Sequence, residues 1–154
     1  MPRVTNTGRK IIVIIACLAA MLIALGVYGL FRGYFDHGSF VIKEVQWSSS
    51  KQVAMIAERS DKETLGGLTY FVIIDNHVLS PDELKLAYHS DAVIFDAMAT
   101  CLNLHWESPS KLVVACNGSH LNQEYINAEK RQSGGVVISY VNISPNTAQT
   151  FRPQ

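Results

Sequence analysis

The stretch Leu68-Thr69-Tyr70-Phe71-Val72-Ile73-Ile74-Asp75 reads LTYFVIID, apolar nearly throughout and filled with aromatic and β-branched residues. A short apolar run of this kind, bounded by turn residues, is the signature of a strand covered on both faces. It predicts a central strand of a β-rich domain. Ser60–Gly67 precedes it and Asp75-Asn76 follows it, both with turn chemistry.

Working outward, extended patterns continue on both sides. Phe40–Trp47 (FVIKEVQW) and Gln52–Glu58 show partial alternation with β-branched and aromatic residues. Downstream, Val93–Phe95, Cys101–Glu107, Leu112–Asn117 and Val136–Ile143 predict further strands. Ser108-Pro109 and Ser133–Gly135 supply turns between them. One short helix is expected, from Ser80-Pro81-Asp82-Glu83 to about Tyr88. It has a capping Ser, Pro at the first helical position and Glu at the third. Residues 119–131 are open between helix and loop. The expected fold class is mainly β, a small antiparallel sandwich or curled sheet with one short helix.

Further out, Ile11–Phe31 (IIVIIACLAAMLIALGVYGLF) holds 21 residues without a charge. At about 1.5 Å per residue a helix crosses the roughly 30 Å hydrocarbon layer in about 20 residues. The helix is also the form in which one isolated segment satisfies its own backbone groups. Tyr28, Tyr34 and Phe35 stand near its distal end, where aromatic rings favour the membrane interface. A cleaved signal peptide has a shorter apolar run of about 7–15 residues and a small-residue cleavage site. Ile14-Ile15-Ala16-Cys17 has the form of a bacterial lipoprotein box, but only six apolar residues precede Cys17. A helix apolar on every side would be an unusual core element for so small a domain. The reading is therefore a single-pass transmembrane helix.

Arg3, Arg9 and Lys10 lie before it, and Arg32 alone lies close behind. The positive-inside rule then orients the N-terminus to the cytoplasm and residues 32–154 away from it. The expected organisation is a cytoplasmic tail 1–10, a transmembrane helix 11–31, a linker 32–39 and an extracytoplasmic domain 40–154. Ala16, Ala20 and Ala24 recur every four residues and form a ridge on which a second helix could pack, giving a homodimer.

The chain as a whole is neutral, with 13 basic and 13 acidic residues. Three of the basic residues precede the apolar helix, leaving ten against 13 beyond it, a net of −3. That balance does not provide the clustered Lys and Arg that nucleic acid requires.

Two stretches resemble each other. Val45-Gln46-Trp47-Ser48-Ser49-Ser50-Lys51-Gln52-Val53-Ala54 and Leu104-His105-Trp106-Glu107-Ser108-Pro109-Ser110-Lys111-Leu112-Val113-Val114 each run strand, Trp, Ser-rich turn, Lys, apolar strand. Each predicts a hairpin whose Trp packs at the strand end while Lys stays in solvent. The pattern resembles the Trp-Ser-Pro-Asp-Gly-Lys hairpins of β-propeller blades such as those of TolB-type proteins, although the Asp-Gly of the turn is absent. The chain is too short for four blades of about 40 residues. It is more similar to a group of small bacterial single-pass envelope proteins of uncharacterised function, over roughly residues 42–58 and 102–143. That resemblance implies an envelope domain anchored in a bacterial cell membrane and carries no activity with it.

Cys17 falls in the apolar helix, which leaves Cys101 and Cys116 as a pair. If Trp106 and Lys111 face each other across the second hairpin, Cys101 and Cys116 do so as well, at a separation suited to a disulfide. No catalytic motif occurs: no Gly-x-Ser-x-Gly, His-Glu-x-x-His, phosphate loop or Cys-x-x-Cys. His37, His77, His89, His105 and His120 are scattered, without ligand spacing. Asp75, Asp91 and Asp96 could be read as a carboxylate cluster, but each is expected beside a turn. No catalytic residue, metal or cofactor is expected. The function expected is a non-enzymatic, membrane-anchored domain that binds a protein partner, as an accessory subunit of an envelope complex or an immunity-type protein. The alternative is an anchored hydrolase or other enzyme without a recognisable motif.

Overall fold

A computed structural model describes residues 6–31, 36–61, 67–118 and 120–143. The chain divides into two units, residues 1–36 and 37–154.

The first unit holds helix α1 (Asn6–Phe31). Its span Lys10–Leu30 is long and apolar enough to cross a membrane, and every residue of it except Gly29 is exposed. Leu22 and Ile23 are exposed at 69% and 67%, which is not the state of a core helix. Ala16, Ala20 and Ala24 are likewise exposed. Tyr34 and Phe35 lie outside the described residues, as do Arg3 and Arg32.

The second unit is mainly β. Its elements are β1 (Ser39–Trp47), β2 (Val53–Ser60), β3 (Leu68–Asp75), α2 (Pro81–Tyr88), β4 (Val93–Ala97), β5 (Leu102–Ser108), β6 (Lys111–Cys116), a 3-10 turn (Gln123–Tyr125), β7 (Ile126–Glu129), β8 (Gln132–Ser133) and β9 (Val136–Val141). They form a five-stranded sheet in the order β1-β2-β3-β4-β7 and a four-stranded sheet in the order β5-β6-β9-β8. Among the described residues every strand pairing is antiparallel except β6 with β9, which is parallel, as is the isolated bridge Leu121–Ile143.

The five-stranded sheet is the middle layer. One face packs on the four-stranded sheet through Ala54, Ile56, Val72, Ile94 and Phe95 against Leu104, Leu112, Val114, Ile138 and Tyr140. The other face carries Phe40, Val53, Met55, Phe71 and Ile73, covered by Leu79, Leu84, Ala87 and Tyr88 of α2 and its approach. Coverage on both sides explains why Val53–Ala57 is buried without interruption and shows no alternation. At about 25 cal/mol per Å² of apolar area, each large side chain buried here contributes roughly 1.5–3 kcal/mol.

Helix α2 begins as its sequence demands. The Ser80 hydroxyl caps the Glu83 amide, and the Glu83 carboxylate accepts from the Ser80 amide at 2.7 Å.

The two repeated hairpins, β1–β2 and β5–β6, each form one edge of their sheet, and these edges meet. The Trp106 indole N–H donates to the Gln46 carbonyl at 2.9 Å, and the Leu104 amide donates to the Glu44 carboxylate at 3.3 Å. The Ser50 hydroxyl donates to the Pro109 carbonyl at 3.1 Å, so the two turns touch at matching positions of the repeat. Side chains thus occupy edge groups that would otherwise offer themselves to another strand.

Several expectations are corrected. Strand β1 begins at Ser39, inside the expected linker. The second hairpin is shifted by one residue, with Trp106 opposite Leu112 instead of Lys111. An irregularity between Trp106 and Ser108 adds Glu107 to one side of the ladder, and a tight Pro109-Ser110 turn closes it. Trp47 does not pack as expected: it is 54% exposed, whereas Trp106 lies against the core between the sheets. Lys111 is half-exposed and pairs with Glu107 at 2.6 Å. In the open region 119–131, the described residues form the 3-10 turn and strand β7.

Candidate functional site

A cleft of about 460 Å³ opens at the end of the sandwich where the two sheets hand over to each other. Leu68 and Tyr70 of β3 form one side, and Met98–Cys101, linking β4 to β5, forms another. Cys116, His120, Leu121 and Tyr125 complete it. Three of the large apolar residues on its lining are exposed: Leu68 at 43%, Met98 at 52% and Tyr125 at 44%. Apolar side chains gathered in one concavity and left in solvent are the usual ground for an interaction site.

The walls are fixed by specific ties. Cys101 and Cys116 form a disulfide with Cα atoms 4.7 Å apart. The bond forms despite the shifted register, because Cys101 stands just before β5 and the Asn117 amide donates to its carbonyl at 2.8 Å. The Met98 amide donates to the Tyr125 carbonyl at 3.0 Å and joins the two connecting segments. Tyr70 donates its hydroxyl to Glu58 at 2.8 Å, and Glu58 pairs with Lys43 at 2.9 Å. The Lys43 ammonium and the Tyr70 hydroxyl hold the Glu58 carboxyl below its ordinary range, and the same bond to Glu58 raises the Tyr70 phenol. Tyr70 is therefore a neutral donor engaged at its tip, and its ring serves as wall.

Of the residues singled out for chemistry, Asp75, Asp91, Asp96 and His77 lie outside the cleft, and His120 is on its lining. Asp96 is not beside a turn, as expected, but buried in β4. It stands opposite Phe71 on the face toward α2, hydrogen-bonded by Tyr88 and by the Asn127 amide at 3.3 Å. Burial pushes its carboxyl up, against those two bonds and the charge of Arg59. Asp75 ends β3 and Asp91 follows α2, where its carbonyl accepts from Lys130.

His77 has Asp75 at 3.1 Å on Nδ1 and Glu83 at 3.3 Å on Nε2. The adjacent Ser80 hydroxyl donates to Glu83 at 2.7 Å, so this exposed group ties the turn to the head of α2. Among the described residues no three of His, Cys, Asp and Glu gather in a way that could hold a metal ion.

Sequence reasoning found the disulfide pair but not the cleft. Leu68, Met98 and Tyr125 come from three separate segments, and no spacing connects them. Comparison with protein families, with curated proteins and with solved structures returns no match.

Proposed function

We propose that this chain is a membrane-anchored, non-enzymatic binding protein of the bacterial cell envelope. Helix α1 spans the membrane with its basic N-terminal flank in the cytoplasm. The β domain lies on the far side and takes an apolar side chain of a protein partner into the cleft. The observation that carries this reading is the cleft itself, where Leu68, Met98 and Tyr125 are held exposed on a wall tied by a disulfide. The disulfide suits an oxidising compartment outside the cytoplasm. The basic residues before α1 favour the same orientation. An accessory subunit of an envelope complex and an immunity-type protein both use such a module, and the bound partner distinguishes them. Pairing of two copies along Ala16, Ala20 and Ala24 is compatible with the helix and adds to this proposal.

The test is an affinity capture from living cells, crosslinked before membrane extraction, with the full chain and with a Leu68→Asp/Met98→Asp double variant. One stoichiometric partner should be recovered with the native chain and at least about tenfold less with the variant. The thermal unfolding of the variant should match that of the native chain. Equal capture by both, or none by the native chain, would overturn the proposal.

A further inference from the structure

The disulfide does more than staple a hairpin. Cys101 follows directly on Met98–Thr100, one wall of the cleft, and Cys116 leads into the segment that carries His120, Leu121 and Tyr125, the other wall. The covalent bond therefore joins the roots of two connections that otherwise meet through the Met98–Tyr125 and Asn117–Cys101 backbone bonds. Neither connection belongs to β1 or β2, whose pairing lies elsewhere in the domain, while β3 borders the cleft and pairs Tyr70 with Ala97. Both cysteines line the cleft, Cys101 half-buried and Cys116 only 1% exposed.

We propose that the Cys101–Cys116 bond is a thiol-responsive clamp on the cleft, opened by exchange with a dithiol reductant. The reductant's thiolate attacks the Cys101 Sγ, the accessible sulfur, and the Sγ–Sγ bond breaks. Cys116 leaves as a thiolate and takes up a proton released by the dithiol. The second thiolate of the reductant then attacks its own sulfur in the mixed disulfide and releases Cys101, which is also protonated. The dithiol loses two electrons and two protons, and the protein gains both. With the bond gone, Met98–Thr100 and Leu121–Tyr125 keep the Met98–Tyr125, Asn117–Cys101 and Leu121–Asn142 backbone bonds and the burial of Ala99 and Leu121, but the cleft loses its one covalent tie and with it its fixed shape. The closed cleft is the resting state.

This inference concerns the cleft assigned above to partner binding, but its test needs no partner. Backbone hydrogen exchange would be followed by mass spectrometry on the full chain in detergent micelles, oxidised and after dithiothreitol. The expected result is exchange at least about tenfold faster in 98–101 and 121–125, with Val53–Ala57 and Phe71–Ile73 unchanged, and restoration on reoxidation. The Cys101→Ser/Cys116→Ser variant should match the reduced chain; if it does not fold, the reduced native chain decides. Unchanged rates would overturn the clamp, as would acceleration of all segments together, which would make the bond a support of the whole domain. Failure here would leave the partner reading standing, and a failed capture experiment would leave the clamp standing.

Discussion

Glu83 illustrates how much one side chain settles locally. It closes the capping box on Ser80 and also faces His77. The bonds from the Ser80 amide and hydroxyl, with that from His77, hold its carboxyl at a pKa of about 2 instead of 4.5. A depressed folded-state value means that the stabilisation is complete above pH 4.5 and is lost as pH falls through about 2. Carbon-detected NMR titration of the Glu83 carboxyl should therefore show a midpoint near 2, and a midpoint near 4.5 would deny the capping box in solution. The box was legible as Ser80-Pro81-Asp82-Glu83 because its partners are three residues apart. Asp96 was not legible, because the burial that raises it arises only when β4 pairs with β3 and sets it opposite Phe71, far from it along the chain. Trp47 and Trp106 make the same point: identical positions in a repeat, but one faces the core between the sheets and the other the α2 side.

At the scale of elements, the strands with apolar content were readable, and the errors fell where the backbone alone decides. β3, β2 and α2 occupy the positions their residue patterns predict, within the few residues by which such boundaries vary. β7 is a four-residue edge strand with one exposed residue and three partly buried ones, joined to β4 by main-chain bonds, and such bonds leave little trace in side-chain pattern. The register of β5 with β6 was misjudged by one residue because the irregularity at Glu107 has no sequence marker. The β8–β9 hairpin is better specified than its two-residue strand suggests. Gly134 and Gly135 both take positive φ, 54° and 81°, in a two-residue turn between Ser133 and Val136. Gly135→Val should cost about 1–2 kcal/mol in denaturant unfolding, through backbone strain, since open space surrounds the site. A neutral substitution would mean that the turn adopts another conformation.

At the scale of the molecule, the chain pairs an apolar helix with a β domain whose two sheets each begin with a copy of one hairpin motif. The division into apolar helix and β domain was plain from charge-free length, and the fold class from LTYFVIID and its neighbours. The cleft was not, because Leu68, Met98 and Tyr125 converge only after both sheets have formed. The functional account rests on that convergence. A photo-crosslinking amino acid at position 98, compared with one at position 137, tests it most directly. Met98 is 52% exposed in the cleft, while Val137 is 50% exposed on β9 outside it. In living cells the account predicts a single discrete adduct from position 98 and none from position 137. Absence of an adduct at 98, or equal adducts from both positions, would contradict it.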